Sequence, residues 1–379
     1  MSNNTGGVLS YWNMKEFHAD ANPKSIAEFP LYSDSHITGE LNDDKGPYKF
    51  LNMISGVNKP GEITNAITLR MFWYVDDKST YGVKTDTTKY HGGWVTDEIS
   101  ALVSLKLGIR IKAGAMNRSY DNYSDDKLGS PRSTKEKRPE LNIGVRGPVL
   151  PSIVKTVNIS NLGELYSLSC LTERQYVALI RSARMYQNAQ WIAESEPELA
   201  WLMLISALET AANEWSSAKS TPVEKLKASK PDLAKILLES GGDSLLLKVA
   251  NEISHTLGAT NKFIKFCLNY IPEPPEKRPV EWARVKWSKT GFKDILNKLY
   301  GYRSEALHGG TPFPAPLCDP PERLSAEDGL VERGALGLAS HTLGASWKSE
   351  DLPISIDTFN IFVNGVLNNW WNSMLVEQS

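Results

Sequence analysis

The period of the apolar residues changes along this chain, and that change limits what it can fold into. Before about residue 155 apolar residues come in short runs separated by turn signals; after about residue 170 they recur at helical spacing. In the first part, Ala66 to Val75 is rich in β-branched and aromatic residues and predicts a strand. Leu105 to Lys112 alternates: Leu105, Leu107, Ile109 and Ile111 fall on one side, Lys106, Arg110 and Lys112 on the other. That pattern predicts a half-buried strand with a basic outer face. Together with Lys127, Arg132, Lys135, Lys137 and Arg138, this face reads as a phosphate track or as a solvated edge protected by lysines. Lys59-Pro-Gly61 and His91-Gly-Gly93 read as turns, the second followed by Trp94 as an aromatic anchor. Residues 117–140 are polar without apolar periodicity and predict a long exposed loop.

In the second part, Thr172-Glu-Arg-Gln175 has the capping-box pattern, and Tyr176, Leu179, Ile180, Ala183, Tyr186 and Ala189 follow on one helical face. Ser195-Glu-Pro-Glu198 and Thr221-Pro-Val-Glu224 open two further helices, each with proline in the first turn where its missing N–H costs nothing. Residues 244–257 and 261–270 predict two more, stopped by Gly258 and Pro272. A helix from Thr290 ends at His308 before Gly309-Gly310, the Pro- and Gly-rich 311–350 is irregular, and Ile356 to Val376 is a last apolar helix with Trp370-Trp371 near its end. The expected fold class is therefore α+β in two domains: a β-rich domain over 1–155, then an all-α bundle of six to eight helices over 156–379.

Composition narrows the function classes. A chain of 379 residues favours two cores, and 41% hydrophobic with 23% charged residues supplies them. The net charge of −2 rules out a uniformly basic polyanion coat, so any nucleic-acid contact must rest on a local patch. Cys170, Cys267 and Cys318 are far apart and odd in number, which argues against a disulfide framework or zinc site and suits a reducing compartment. Without a basic-then-apolar leader or a long apolar run, the expectation is a cytoplasmic protein with no membrane partner.

The sharpest chemical feature is Tyr300-Gly-Tyr-Arg303-Ser-Glu-Ala-Leu-His308-Gly-Gly310. A permanent cation and a titratable imidazole near the end of a helix suit metal-free RNA cleavage. One group moves a proton at the 2′-hydroxyl or the leaving oxygen, while the guanidinium holds the phosphate and its transition-state charge. Residues five apart on an ideal helix sit about 140° apart, so Ser304 shares a face with His308 better than Arg303 does. A dimer bringing two copies of the motif to one cleft would relieve that problem. The plain alternative is an Arg303 ion pair and a His308 that merely caps the helix. Glu209 lies among Ile205, Ala207, Leu208 and Ala212, where a carboxylate needs a partner. It either orients Arg303 or His308 or makes a simple salt bridge. Tyr300 and Tyr302 flank the arginine as base-stacking or core residues, and Glu305 lies within the motif. His255 reads as a structural histidine.

These residues resemble the HEPN superfamily, in particular its ApeA-like branch. The motif Arg303-x4-His308 matches the family's catalytic Arg and His. Leu202-Met-Leu-Ile-Ser-Ala-Leu-Glu-Thr210 matches the earlier helix, with Glu209 at its acidic position. The likeness spans roughly 172–310 and leaves 1–155 outside. It implies a helical domain that dimerises through the motif face and cleaves RNA without a metal or other cofactor, with Arg303, His308 and Glu209 catalytic and Ser304, Glu305, Tyr300 and Tyr302 against the substrate. Such domains serve antiviral, abortive-infection and toxin systems, with tRNA among the substrates. That implies a phage-derived or regulatory trigger at the N-terminal domain. Many active members carry Asn, Asp or His after the arginine. Ser304 departs from this, which keeps open a non-catalytic RNA- or nucleotide-binding module, or a structural dimerisation protein.

Overall fold

The computed structural model describes residues 8–19, 22–53, 61–75, 89–91, 93–121, 126–215, 221–253, 258–325, 329–342 and 344–376. The first region runs α1 (Leu9–His18), β1 (Ser25–Ser33), β2 (His36–Thr38), β3 (Tyr48–Asn52), β4 (Thr64–Trp73), α2 (Val95–Leu107), β5 (Lys112–Ala113), β6 (Arg118–Tyr120), β7 (Ser130–Pro131) and β8 (Thr156–Asn158). The second runs α3 (Glu173–Ile192), α4 (Pro197–Glu214), α5 (Pro222–Ser229), α6 (Pro231–Ile253), α7 (Ala259–Asn269), α8 (Lys289–Ser304), β9 (Ala339–Thr342), β10 (Ala345–Trp347) and α9 (Ile356–Val376). This is the α+β arrangement expected. No described helix is long and apolar enough to cross a membrane.

The sheet is antiparallel in the order β3-β4-β1-β6-β7, with β5 pairing β1 as well. Alternation along β1 and β4 puts Leu31, Ile67 and Leu69 in the core. On the same strands Glu28 takes the Arg70 Nε hydrogen at 2.8 Å and the Tyr120 hydroxyl at 2.9 Å. The strand expected at 66–75 is β4, whereas β2 pairs in parallel with β8 as a separate ribbon.

Leu105 to Lys112 departs from the expected strand. Leu105 to Leu107 close α2, Gly108 ends it with φ of 61°, and only Lys112 joins the sheet. Nearly every residue of α2 is buried, so this helix has no polar stripe for periodicity to detect. The basic face dissolves with the strand. Lys106 pairs with Glu164 at 2.7 Å, and Arg110, 1% exposed, lies inside the molecule. Its guanidinium meets Asp34 after β1, Glu194 after α3 at 3.0 Å, and the Gln190 carbonyl at 2.9 Å, beside the Trp191 ring. Glu194 also accepts the Val149 N–H at 2.8 Å. In 117–140 the described residues are loop apart from β6 and β7.

Local chemistry explains most of the helices. Both capping boxes form, Thr172 with Gln175 and Thr221 with Glu224. The break inside α6 falls at Gly241-Gly242, where Gly242 has φ of 63°. Helix also covers 231–240, to which the sequence pattern assigns no separate element, and 254–257, with His255, lie outside the described residues, as does Lys59-Pro60. Trp201 of α4 stacks on Phe313 and Phe359 and donates to the Leu317 carbonyl at 2.9 Å. Trp370 and Trp371 are fully buried core residues. The two regions share one core, and α9 reaches across: Asn364 and Asn368 donate to the Leu105 carbonyl at 2.6 and 2.9 Å, capping α2.

Two consequences follow for stability. Arg110→Ala strands two buried carboxylates and should cost about 3–5 kcal/mol in urea unfolding; a loss under about 1 kcal/mol would remove the triad's importance. Glu98 is fully buried, with one oxygen on the Ser10 N–H at 2.9 Å and the other unpartnered among the described residues. Burial pushes its carboxyl from 4.5 up to about 7, against the pull of the Ser10 hydrogen bonds. The folded state thus holds a proton that the unfolded chain has released, so this group costs stability as pH rises from about 4.5 through about 7. Glu98→Gln should stabilise the protein at about pH 8 by up to ~3 kcal/mol and have little effect near pH 5, as read by unfolding at both pH values.

Candidate functional site

Helix α8 starts at Ser288, whose hydroxyl accepts the Gly291 N–H at 3.2 Å. Phe292, Ile295, Leu296 and Leu299 form its buried stripe. Arg303, four residues beyond Leu299, continues that stripe to the edge of the core, where α4 passes. There its Nη2 donates to Glu209 Oε2 at 2.8 Å. Both side chains are about four-fifths buried, at 20% and 18% exposure. Glu209 thus has the partner that its apolar surroundings require.

The pair is incomplete in a particular way. The Arg303 Nε hydrogen is buried without an acceptor among the described residues, so Glu209 alone does not satisfy the guanidinium. The Tyr300 ring lies under the guanidinium at 5.6 Å and against Phe263 at 5.2 Å. Its hydroxyl pKa is raised by burial and then by the Glu209 charge.

Beyond Ser304 the helix widens into a π turn over Glu305–Gly309, closed by Gly310 with φ of 66°. Winding with i→i+5 bonds advances each residue less than an α-helix does, which rotates His308 back toward the Arg303 side relative to the ideal α geometry. Single π turns recur at functional sites. His308 is exposed, and its imidazole makes no hydrogen bond or ion pair among the described residues. Ser304 is half-buried and Glu305 exposed. Tyr302 turns elsewhere: it donates to the Asp351 carbonyl at 2.8 Å and packs on Phe313, a core position in place of a substrate contact. The structure therefore joins Arg303, Glu209 and Tyr300, places His308 on the adjoining turn, and separates Tyr302 from them.

Two features escaped the sequence reading. The π turn leaves no signature beyond the terminal glycines. Trp94 is no anchor: it is 79% exposed at the start of α2, and the backbone at Gly93 lies against the Arg184 guanidinium. Among the described residues no group of three or more His, Cys, Asp or Glu side chains is placed to hold a metal ion. No family model, curated protein or solved structure matches the chain.

A double-mutant cycle of Arg303→Ala and Glu209→Ala in chemical unfolding should give a coupling of about 1 kcal/mol or more, as expected for a partly buried, charge-assisted bond. Additive losses would show that the two side chains do not depend on each other.

Proposed function

We propose that this chain is a metal-independent endoribonuclease of HEPN type, with Arg303, His308 and Glu209 as its working residues. The observation that carries this reading is the pairing of Arg303 with Glu209 across 94 residues of sequence, beside a π turn that presents an exposed imidazole. In this reading the 2′-hydroxyl oxygen attacks the adjacent phosphorus and the bond to the 5′-oxygen breaks, leaving a 2′,3′-cyclic phosphate and a 5′-hydroxyl. One proton leaves the 2′-oxygen and one reaches the 5′-oxygen. His308 carries one of these transfers, and its counterpart in a second copy carries the other if the motifs meet in a homodimer. Arg303 neutralises charge on the non-bridging oxygens, and Glu209 fixes its direction. The sheet region would meet the regulator or trigger, and an effector of defence or toxin type cleaving cellular RNA, tRNA included, is the role this chemistry would serve.

A second reading, an RNA-binding module without cleavage, is favoured by one observation: within a single chain His308 has no bond to Arg303 or Glu209. Incubation with total RNA and tRNA in excess EDTA separates the two. Cleavage leaving cyclic phosphate ends, reduced at least about 100-fold by His308→Ala, supports the nuclease. Cleavage undiminished in His308→Ala would sink it, and RNA bound but left intact by the wild type would favour the module.

A further inference from the structure

Around the corner of α4 from the Arg303–Glu209 pair lies a groove of about 520 Å³, lined by Lys89, Tyr90, Arg174, Arg181, Thr210 and Asn213 among others. Arg174, Arg181 and Arg184 stand at i, i+7 and i+10 on α3, within about 80° of arc and over about 15 Å of helix. Glu173 and Glu214 also line the groove, but Glu214 is taken by Arg174 at 2.6 Å. Arg181 is exposed and, among the described residues, meets no carboxylate within ion-pair distance; its guanidinium lies 5.6 Å from the Tyr90 ring centre. Next to the groove-lining Asn213, Lys262 of α7 finds only neutral acceptors among the described residues, the Asn213 carbonyl at 3.0 Å and its side-chain oxygen at 3.5 Å. Burial, then the nearby charges of Lys225 and Arg174, lower the Lys262 pKa against the opposing pull of Glu214.

The aromatic side of the groove is equally specific. Tyr90 lies over Arg181, and the 79%-exposed Trp94 stands four residues on, after Gly93, whose backbone lies against the Arg184 guanidinium. An exposed tryptophan costs solubility, whereas rings interleaved with arginines form a platform on which bases stack while the cations follow the backbone. The groove also connects to the motif. Asn213 lines it and lies one turn, about 6 Å, along α4 from Glu209. Thr260 and Lys262 of α7 bridge the same gap, Thr260 at Tyr300 and Lys262 at Asn213.

We propose that this groove binds a single-stranded RNA segment flanking the linkage held at Arg303, with its phosphates on Arg181 and Lys262 and its bases on Tyr90 and Trp94. The assignment of RNA rests on the ribonuclease reading of the motif; the groove itself rests on its own charges and rings.

The test is fluorescence anisotropy with a labelled oligouridine of about a dozen nucleotides, using full-length protein carrying His308→Ala so that the probe stays intact. Arg181→Glu in that background should weaken binding at least about tenfold and flatten its salt dependence, whereas Trp94→Ala should weaken it several-fold with the salt slope unchanged. Lys137→Glu, the same charge reversal in the exposed loop before β8, should change binding less than about twofold. Equal losses for Arg181→Glu and Lys137→Glu, with both variants folded by circular dichroism, would overturn the groove. The nuclease reading fails separately. Wild-type protein that holds RNA through Arg181 but leaves it intact keeps the groove and removes the enzyme. Cleavage by wild type that Arg181→Glu does not alter keeps the enzyme and removes the groove.

Discussion

The buried guanidinium of Arg110 is the interaction on which the rest of the molecule depends. It joins the end of β1 through Asp34, the exit of α2 where it resides, and the end of α3 through Glu194. One cation between two carboxylates leaves an excess negative charge, which Glu194 shares with the Val149 N–H while the Trp191 ring covers the cation. Such a cluster makes a modest net contribution to stability, but its geometry admits few alternatives. Sheet and helices must meet in one orientation for all three charges to be paired. The groove beside α3 and the pair between α4 and α8 inherit their positions from that meeting.

How much of this was legible in the sequence depends on where each residue finds its partner. Capping boxes, first-turn prolines and the Phe292–Leu299 stripe act within a few residues, so α3, α4, α5 and α8 could be read directly. Glu209 announced itself as a carboxylate in apolar company, and its partner is the motif arginine. Failure came where context was global. α2 is buried almost all round, and its last turn and extended exit happened to alternate like a strand. Arg110 looked like a surface cation because its two carboxylates lie more than 70 residues away in either direction. Trp94 read as an aromatic anchor because local sequence does not distinguish an aromatic that packs from one that is presented.

The candidate site divides between a rigid part and a free part. Arg303, Glu209 and Tyr300 are held by α4, α7 and α8 through aromatic packing and a charge-assisted bond. His308 sits on the only stretch of that neighbourhood wound as a π turn, exposed among the described residues. A packed, paired cation thus stands beside an exposed imidazole.

The capping of α2 by α9 carries a consequence for the order of events during synthesis. Leu105 receives its two amide donors from Asn364 and Asn368, 259 and 263 residues later, and Ser152 is tied to Asp357 across 205 residues. A chain emerging from the ribosome has made its sheet strands and the motif helix long before α9 appears. Until then the carbonyl end of α2 lacks these partners and the shared core stays open along one side. The ties that α9 makes to the end of α2 and to Ser152 are thus among the last contacts that each molecule can form.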